Sequence, residues 1–194
     1  MANNCATDYV IECREKKQIE ELYGKFQKLL DTQRPYERDG KTYLGHPDWL
    51  GYIVTDLLEK KVEDIPCRGT FQLVEEVQET PRGFCFKVFT DTAWCACDVL
   101  FNTLAEKFGL DIYYLEIEPG CEVFYTNDDC GYFFPERYYL DSDAEGEELF
   151  NTFDELAKRV EEITGTLPSS MDDISTIQEE YSGEFLSIHV IEVS

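Results

Sequence analysis

Positive charge is scarce in this chain: 17 Lys and Arg stand against 41 Asp and Glu, for a formal net charge of −24. Binding to phosphates or to an anionic membrane needs cations that displace counterions, so neither direct nucleic-acid binding nor membrane binding is expected. Histidine is scarce as well. Only His46 and His189 occur, with no His-x-x-x-His or Gly-x-Ser-x-Gly spacing and no phosphate-cradling glycine loop. Long apolar runs are missing, since no stretch approaches the roughly 18 residues of a membrane span. Residues 1–8 hold neither a basic region nor an apolar run of signal-peptide length, which predicts a cytoplasmic protein.

Cysteine, by contrast, is present eight times, at positions 5, 13, 67, 85, 95, 97, 121 and 130. Disulfides are disfavoured in a chain without an export signal, and Cys95 and Cys97 have no second close pair to complete a zinc site. The expectation is reduced thiols buried as small hydrophobes, with no metal and no cofactor. The run Asp141 to Gly146 imitates the start of a calcium loop, but Thr152 stands where a bidentate Glu is needed. Carboxylate doublets at 75–76, 147–148, 161–162 and 179–180 diverge on a helix or oppose each other across a strand. They read as a solvated acidic face, and no catalytic residue is assigned.

Hydrophobic residues make up 43% and aromatics 14%, enough to build a core rather than a disordered chain. Alternation predicts a strand over 4–13, and 3–4 spacing predicts a helix over 15–30. Residues 31–46, with Pro35 and Gly40, read as a loop or insertion. Pro47 and Asp48 then open a second helix with Leu50, Ile53, Val54, Leu57 and Leu58 on its stripe. A hairpin follows over 67–91, turning at Pro81-Arg82-Gly83, then a helix over 95–108 stopped by Gly109. Strands are predicted over 111–118, 121–126 and 131–140, the last on an edge because of Pro135. Residues 147–164 read as an amphipathic helix, and 184–193 as an interior strand docking on the main sheet. The predicted class is α+β: a ferredoxin-like antiparallel sheet with helices on one face, extended by a hairpin and a C-terminal helix and strand. The expected division is a 1–140 core and an acidic 141–194 extension, which carries 15 acids and 2 bases.

The segment Phe89-Thr90-Asp91-Thr92-Ala93-Trp94 lies between a predicted strand and helix. It is followed by Phe108-Gly109, by Ile112-Tyr113-Tyr114-Leu115-Glu116 and by Pro119-Gly120. This pattern resembles the YubB-like ferredoxin-like family of plasmid, phage and mobile-element proteins. Residues 1–5 and Cys67-Arg68-Gly69-Thr70-Phe71 add to the likeness, while Cys95-Ala96-Cys97 and Phe71 depart from it. The resemblance covers roughly residues 1–140 and implies a fold and a mobile-element setting, with no activity to carry across.

Trp94, beside Thr90 and Thr92, reads either as a binding anchor or as a core plug under the following helix. Tyr132, Phe134 and Tyr138 pose the same choice on the expected edge strand, and Glu147 and Glu148 belong to the acidic face. Three functions follow from these residues. The first is a non-enzymatic acidic module for a basic protein surface, such as a nucleic-acid mimic that inhibits a basic host or phage-defence protein. The second is a small enzyme or small-molecule binder with a groove near Trp94. The third is a homo-oligomerisation module.

Overall fold

Alternating apolar residues form strand β1 (Asn4–Cys13), which buries Cys5, Thr7, Tyr9, Ile11 and Cys13 on one face. A computed structural model describes residues 4–143, 146–181 and 185–194, and the chain divides into two compact units, Met1–Val123 and Phe124–Ser194. The class is α+β. No helix among the described residues is long and apolar enough to cross a membrane.

In the first unit, β1 leads into helix α1 (Lys16–Asp31), then a hairpin of β2 (Pro35–Arg38) and β3 (Lys41–Leu44). Strands β4 (Gly69–Thr80) and β5 (Gly83–Ala93), helix α2 (Asp98–Phe108) and strand β6 (Asp111–Glu118) complete it. The four long strands stand in the order β6-β1-β5-β4, every neighbouring pair antiparallel. Ile19, Leu22, Phe26 and Leu29 of α1 and Leu100, Phe101 and Leu104 of α2 share one core with Tyr9, Ile11, Phe71, Phe86 and Val88 of the sheet. Both helices therefore cover the same sheet face. Phe26 meets Phe71 and Phe86 edge-on at 5.7 and 5.5 Å, and Tyr9 stacks on Phe101 at 3.7 Å. Gly109, at φ 61°, ends α2 as its sequence predicts.

Two expectations for this unit are corrected. Residues 31–46 are not simply a loop, because they contain the β2–β3 hairpin. Its turn is Asp39-Gly40, both at positive φ (52° and 68°), the geometry an Asp-Gly pair favours. No regular helix begins at Pro47. The Leu50 N–H donates to Gly69 O (3.1 Å) and the Phe71 N–H to Asp48 O (2.8 Å), which ties 48–50 to the start of β4. Helical winding is confined to residues 51–57, most of it a π-type turn, Ile53–Leu57. The predicted stripe is nonetheless buried, since Leu50, Ile53, Val54, Leu57 and Leu58 all enter the core.

The second unit holds β7 (Val123–Thr126) from its second residue on, β8 (Tyr138–Ser142), β9 (Gly146–Phe150), α3 (Phe153–Thr164), α4 (Met171–Glu180), β10 (Leu186–Val190) and β11 (Glu192–Val193). Strands β10-β8-β9 form an antiparallel sheet, and β11 pairs with β7 in parallel. Leu140, Leu156, Val160, Ile174 and Ile188 make its core.

Three sequence expectations fail here for local reasons. The helix predicted from 147 starts at Phe153, where Thr152 and Glu155 form a reciprocal capping box, and residues 146–150 are strand β9. The acidic stretch after Pro168, to which the sequence assigned no element, is helix α4, capped by Ser170. The strand expected over 131–140 begins only at Tyr138 and is central rather than an edge, because both its sides are paired. Before it, the Asp128 carboxylate accepts the N–H groups of Phe133 and Phe134, and Arg137 donates to the carbonyls of Asp128, Phe134 and Glu136. Side chains thus satisfy that backbone, and no ladder forms. The last strand is not interior: β10 is an outer strand of its sheet, Val190 and Val193 are exposed, and Glu184 lies outside the described residues. The calcium-like run is the β8–β9 connection, with Asp141 opposite Glu147 and Ser142 opposite Gly146. Its Ala144 and Glu145 also lie outside the described residues.

Candidate functional site

The end of the first sheet nearest α2 carries a buried polar layer. Thr90, Thr7 and Glu116 stand in one row across β5, β1 and β6, and Thr92 lies opposite Cys5 in the next. All five are buried. Glu116 Oε1 accepts the Ala96 N–H at 2.7 Å and the Cys5 thiol at 3.3 Å. Thr92 donates to Cys95 O at 2.7 Å. These bonds pin residues 95–96, the entry to α2, onto the sheet. Glu116 has no ion-pair partner among the described residues. A buried carboxylate is costly unless hydrogen-bonded, and here the N-terminal end of α2 supplies favourable dipole charge.

Burial shapes the other titratable groups. It pushes the Cys5 thiol up to about 12, with Glu116 adding to the effect and hydrogen bonds from Thr7 and Thr92 opposing it. It raises Tyr9 strongly, helped by Asp98, Cys97 and Glu116. The hydroxyls of Tyr9 and Thr90 have no hydrogen-bond partner among the described residues.

Beside this layer is a pocket of about 590 Å³ lined by Val62, Cys67, Arg68, Cys95, Cys97 and Asp98, among others. Burial raises Cys67 to about 11 and also raises Cys95 and Cys97, with nearby anionic groups adding to it. Thiols held protonated at neutral pH are poor nucleophiles and poor metal ligands. Among the described residues, no group of three or more His, Cys, Asp or Glu could hold a metal ion. The pocket can accept a ligand but has no activated nucleophile. A cavity of about 540 Å³ gathers Lys25, Lys28, Arg34 and Lys107. Lys28 and Lys107 occupy last helical turns, where they offset the dipoles, and Asp56 holds Arg34 at 2.8 Å. That cluster has a structural explanation.

Thr90 and Thr92, named with Trp94 as binding candidates from the sequence, are buried together in this polar layer. Trp94 is not a core plug: it is 57% exposed and held at φ +81°, a region that a bulky residue rarely adopts. Its conformation costs about 1 kcal/mol, so Trp94→Gly is expected to leave stability to urea unchanged or higher. A loss of 2 kcal/mol or more would restore the plug reading. The cysteine expectation holds for Cys5, Cys13 and Cys85, which are buried, while Cys95, Cys121 and Cys130 are exposed.

The remaining sequence candidates belong to the second unit. Tyr132 is half exposed, Phe134 is buried, and Tyr138 packs on the Leu140 core. Glu147 is exposed on β9, and Glu148 accepts Arg159 Nε at 2.9 Å. This unit carries 18 acids and 3 bases, a net −15. Of those bases, Arg137 is spent on backbone carbonyls and Arg159 on Glu148 and Glu162.

The acids follow a pattern. Helix α3 carries Asp154 and Glu155 in its first turn and Glu161 and Glu162 near its end; α4 carries Asp172 and Asp173, then Glu179 and Glu180. All eight are exposed. The first-turn pairs are favoured by the helix dipole, and the Asp173 carboxylate, held below its usual range by Ser169, accepts the N–H and hydroxyl of that residue just before the Ser170 cap. The end pairs oppose the dipole, and neither last turn has a base. Sequence reasoning missed Glu116, Thr7 and Cys5, whose neighbouring rows appear only once strands are paired. Comparison with protein families, with curated proteins and with solved structures gave no match.

Proposed function

We propose that the second unit is an anionic docking surface for a basic protein. The observation that carries this reading is the acid placed at the last turns of α3 and α4, where it works against the helices. Helix stability accounts for Asp154, Glu155, Asp172 and Asp173 but not for Glu161, Glu179 and Glu180. Four acids span eight residue steps of α4, about 12 Å, with no base among them. That is roughly one charge per 3–4 Å, similar to the spacing along one DNA strand, which supports mimicry of nucleic acid toward a cationic partner. The antiparallel order β6-β1-β5-β4, with both helices on one face, supports a ferredoxin-like reading of the first unit. The mobile-element resemblance fits the same proposal.

The test is binding to decalysine at increasing salt. Affinity is expected to fall about tenfold or more between 50 and 200 mM salt. Affinity indifferent to salt would count against the reading. A second reading, a small-molecule site near Trp94, is favoured by the thiol-lined pocket, whose protonated cysteines suit binding rather than catalysis.

A further inference from the structure

Four aromatic residues converge in a first-unit pocket that shares no lining residue with the thiol pocket. Tyr36, His46, Trp49 and Tyr52, with Gly45 and Thr70, line a pocket of about 370 Å³. Among the described residues, no Lys, Arg, Asp or Glu lines it. The walls are fixed by backbone and by glycine. Trp49 is bridged to Thr70 at the start of β4, and its ring meets Tyr52 edge-on at 5.1 Å. A Cβ on Gly51 would lie 2.4 Å from the indole, and one on Gly45 would lie 2.8 Å from the Tyr52 hydroxyl. Both rings therefore stand where only glycine permits them. Tyr36 stacks on Tyr43 at 5.6 Å in the hairpin, and both are nearly half exposed at the rim.

We propose that this pocket binds an alkylated ammonium group, of the quaternary kind found on a choline-like molecule or a methylated lysine. Ring faces are negative and attract cations. One face of this wall already does so, since the Arg34 guanidinium lies 3.9 Å from the Tyr52 ring centre while lining the neighbouring cavity. The chain's −24 charge adds a field of the same sign. The absence of a lining carboxylate selects among cations. A primary ammonium is strongly hydrated and needs anionic oxygens to replace its water, whereas a methylated one needs little replacement and gains from ring contact. This inference uses first-unit residues alone and does not depend on the anionic helices.

The test is proton NMR of ligand N-methyl groups with the full chain, using choline, its neutral carbon isostere 3,3-dimethylbutan-1-ol and an acetylated trimethyllysine amide. Saturable upfield shifts of the N-methyl protons are expected, with the neutral isostere about tenfold weaker. Tyr36→Ala, on the exposed hairpin where folding is not at risk, should weaken binding several-fold, and Trp49→Leu further. Trp94→Phe should leave it unchanged. Tighter binding of trimethyllysine assigns the group to a protein tail, and tighter binding of choline to a free ligand; either supports the site. Equal binding of the isostere, no saturable shift with either cation, or indifference to Tyr36→Ala would overturn it.

Discussion

Replacing Glu116 with alanine is expected to cost about 3 kcal/mol of unfolding free energy in urea. The substitution deletes the acceptor of the buried Ala96 N–H and of the Cys5 thiol, and it leaves a cavity between Thr7 and α2. A hydrogen bond to a charged group contributes roughly 1.5–3 kcal/mol, and an unsatisfied buried N–H adds its desolvation cost. Glu116→Gln keeps an acceptor oxygen and should recover more than half of the loss. A Glu116→Ala protein within 1 kcal/mol of the parent would show that the polar layer does not hold α2 to the sheet. The loop bearing Trp94 would then need another anchor.

The triple reversal Glu161→Lys, Glu179→Lys and Glu180→Lys should have two opposite effects. It places cations at helix C-terminal ends that now carry anions, so melting temperature should rise by about 3 °C. Glu162 is left in place because it accepts Arg159 at 2.8 Å. Affinity for decalysine should fall about tenfold at low salt, a change of 1.4 kcal/mol. A residue that lowers stability while supporting binding is the signature of selection for a surface. If stability fell instead, the argument from the dipole would be wrong.

Much of the first unit was legible because its signals are local and strong. The alternation of Thr7, Tyr9, Ile11 and Cys13, the 3–4 spacing of α1 and the stop at Gly109 each fix an element without tertiary help. Failures came where two local signals competed. Leu149 and Phe150 extend an apolar periodicity into α3, but the capping box at Thr152 and Glu155 marks the true start. Asp39-Gly40 was a hairpin signal set within a polar stretch that read as loop. Leu50 and its neighbours have a helical pattern, yet their backbone is taken by β4. Pro135 weighed against a central strand, and the strand simply begins after it.

The candidate sites were less legible. Thr90 and Thr92 were found by their place beside Trp94, but which face they take depends on pairing with β1. Glu116 was one acid among 41 until its row was known. The aromatic pocket draws Tyr36, Trp49 and Thr70 from a hairpin, a loop and a strand, and no sequence window contains them all.

The central claim is that acid on α3 and α4 is placed for a partner and is not general solubilising charge. The most direct measurement compares the triple reversal with a matched one in the first unit, Glu37→Lys, Asp64→Lys and Glu76→Lys, all exposed and giving the same net charge. Decalysine affinity by calorimetry at one low salt concentration should drop about tenfold for the first and by less than about threefold for the second. Equal losses would mean that only total charge matters, and the docking surface would have to be abandoned.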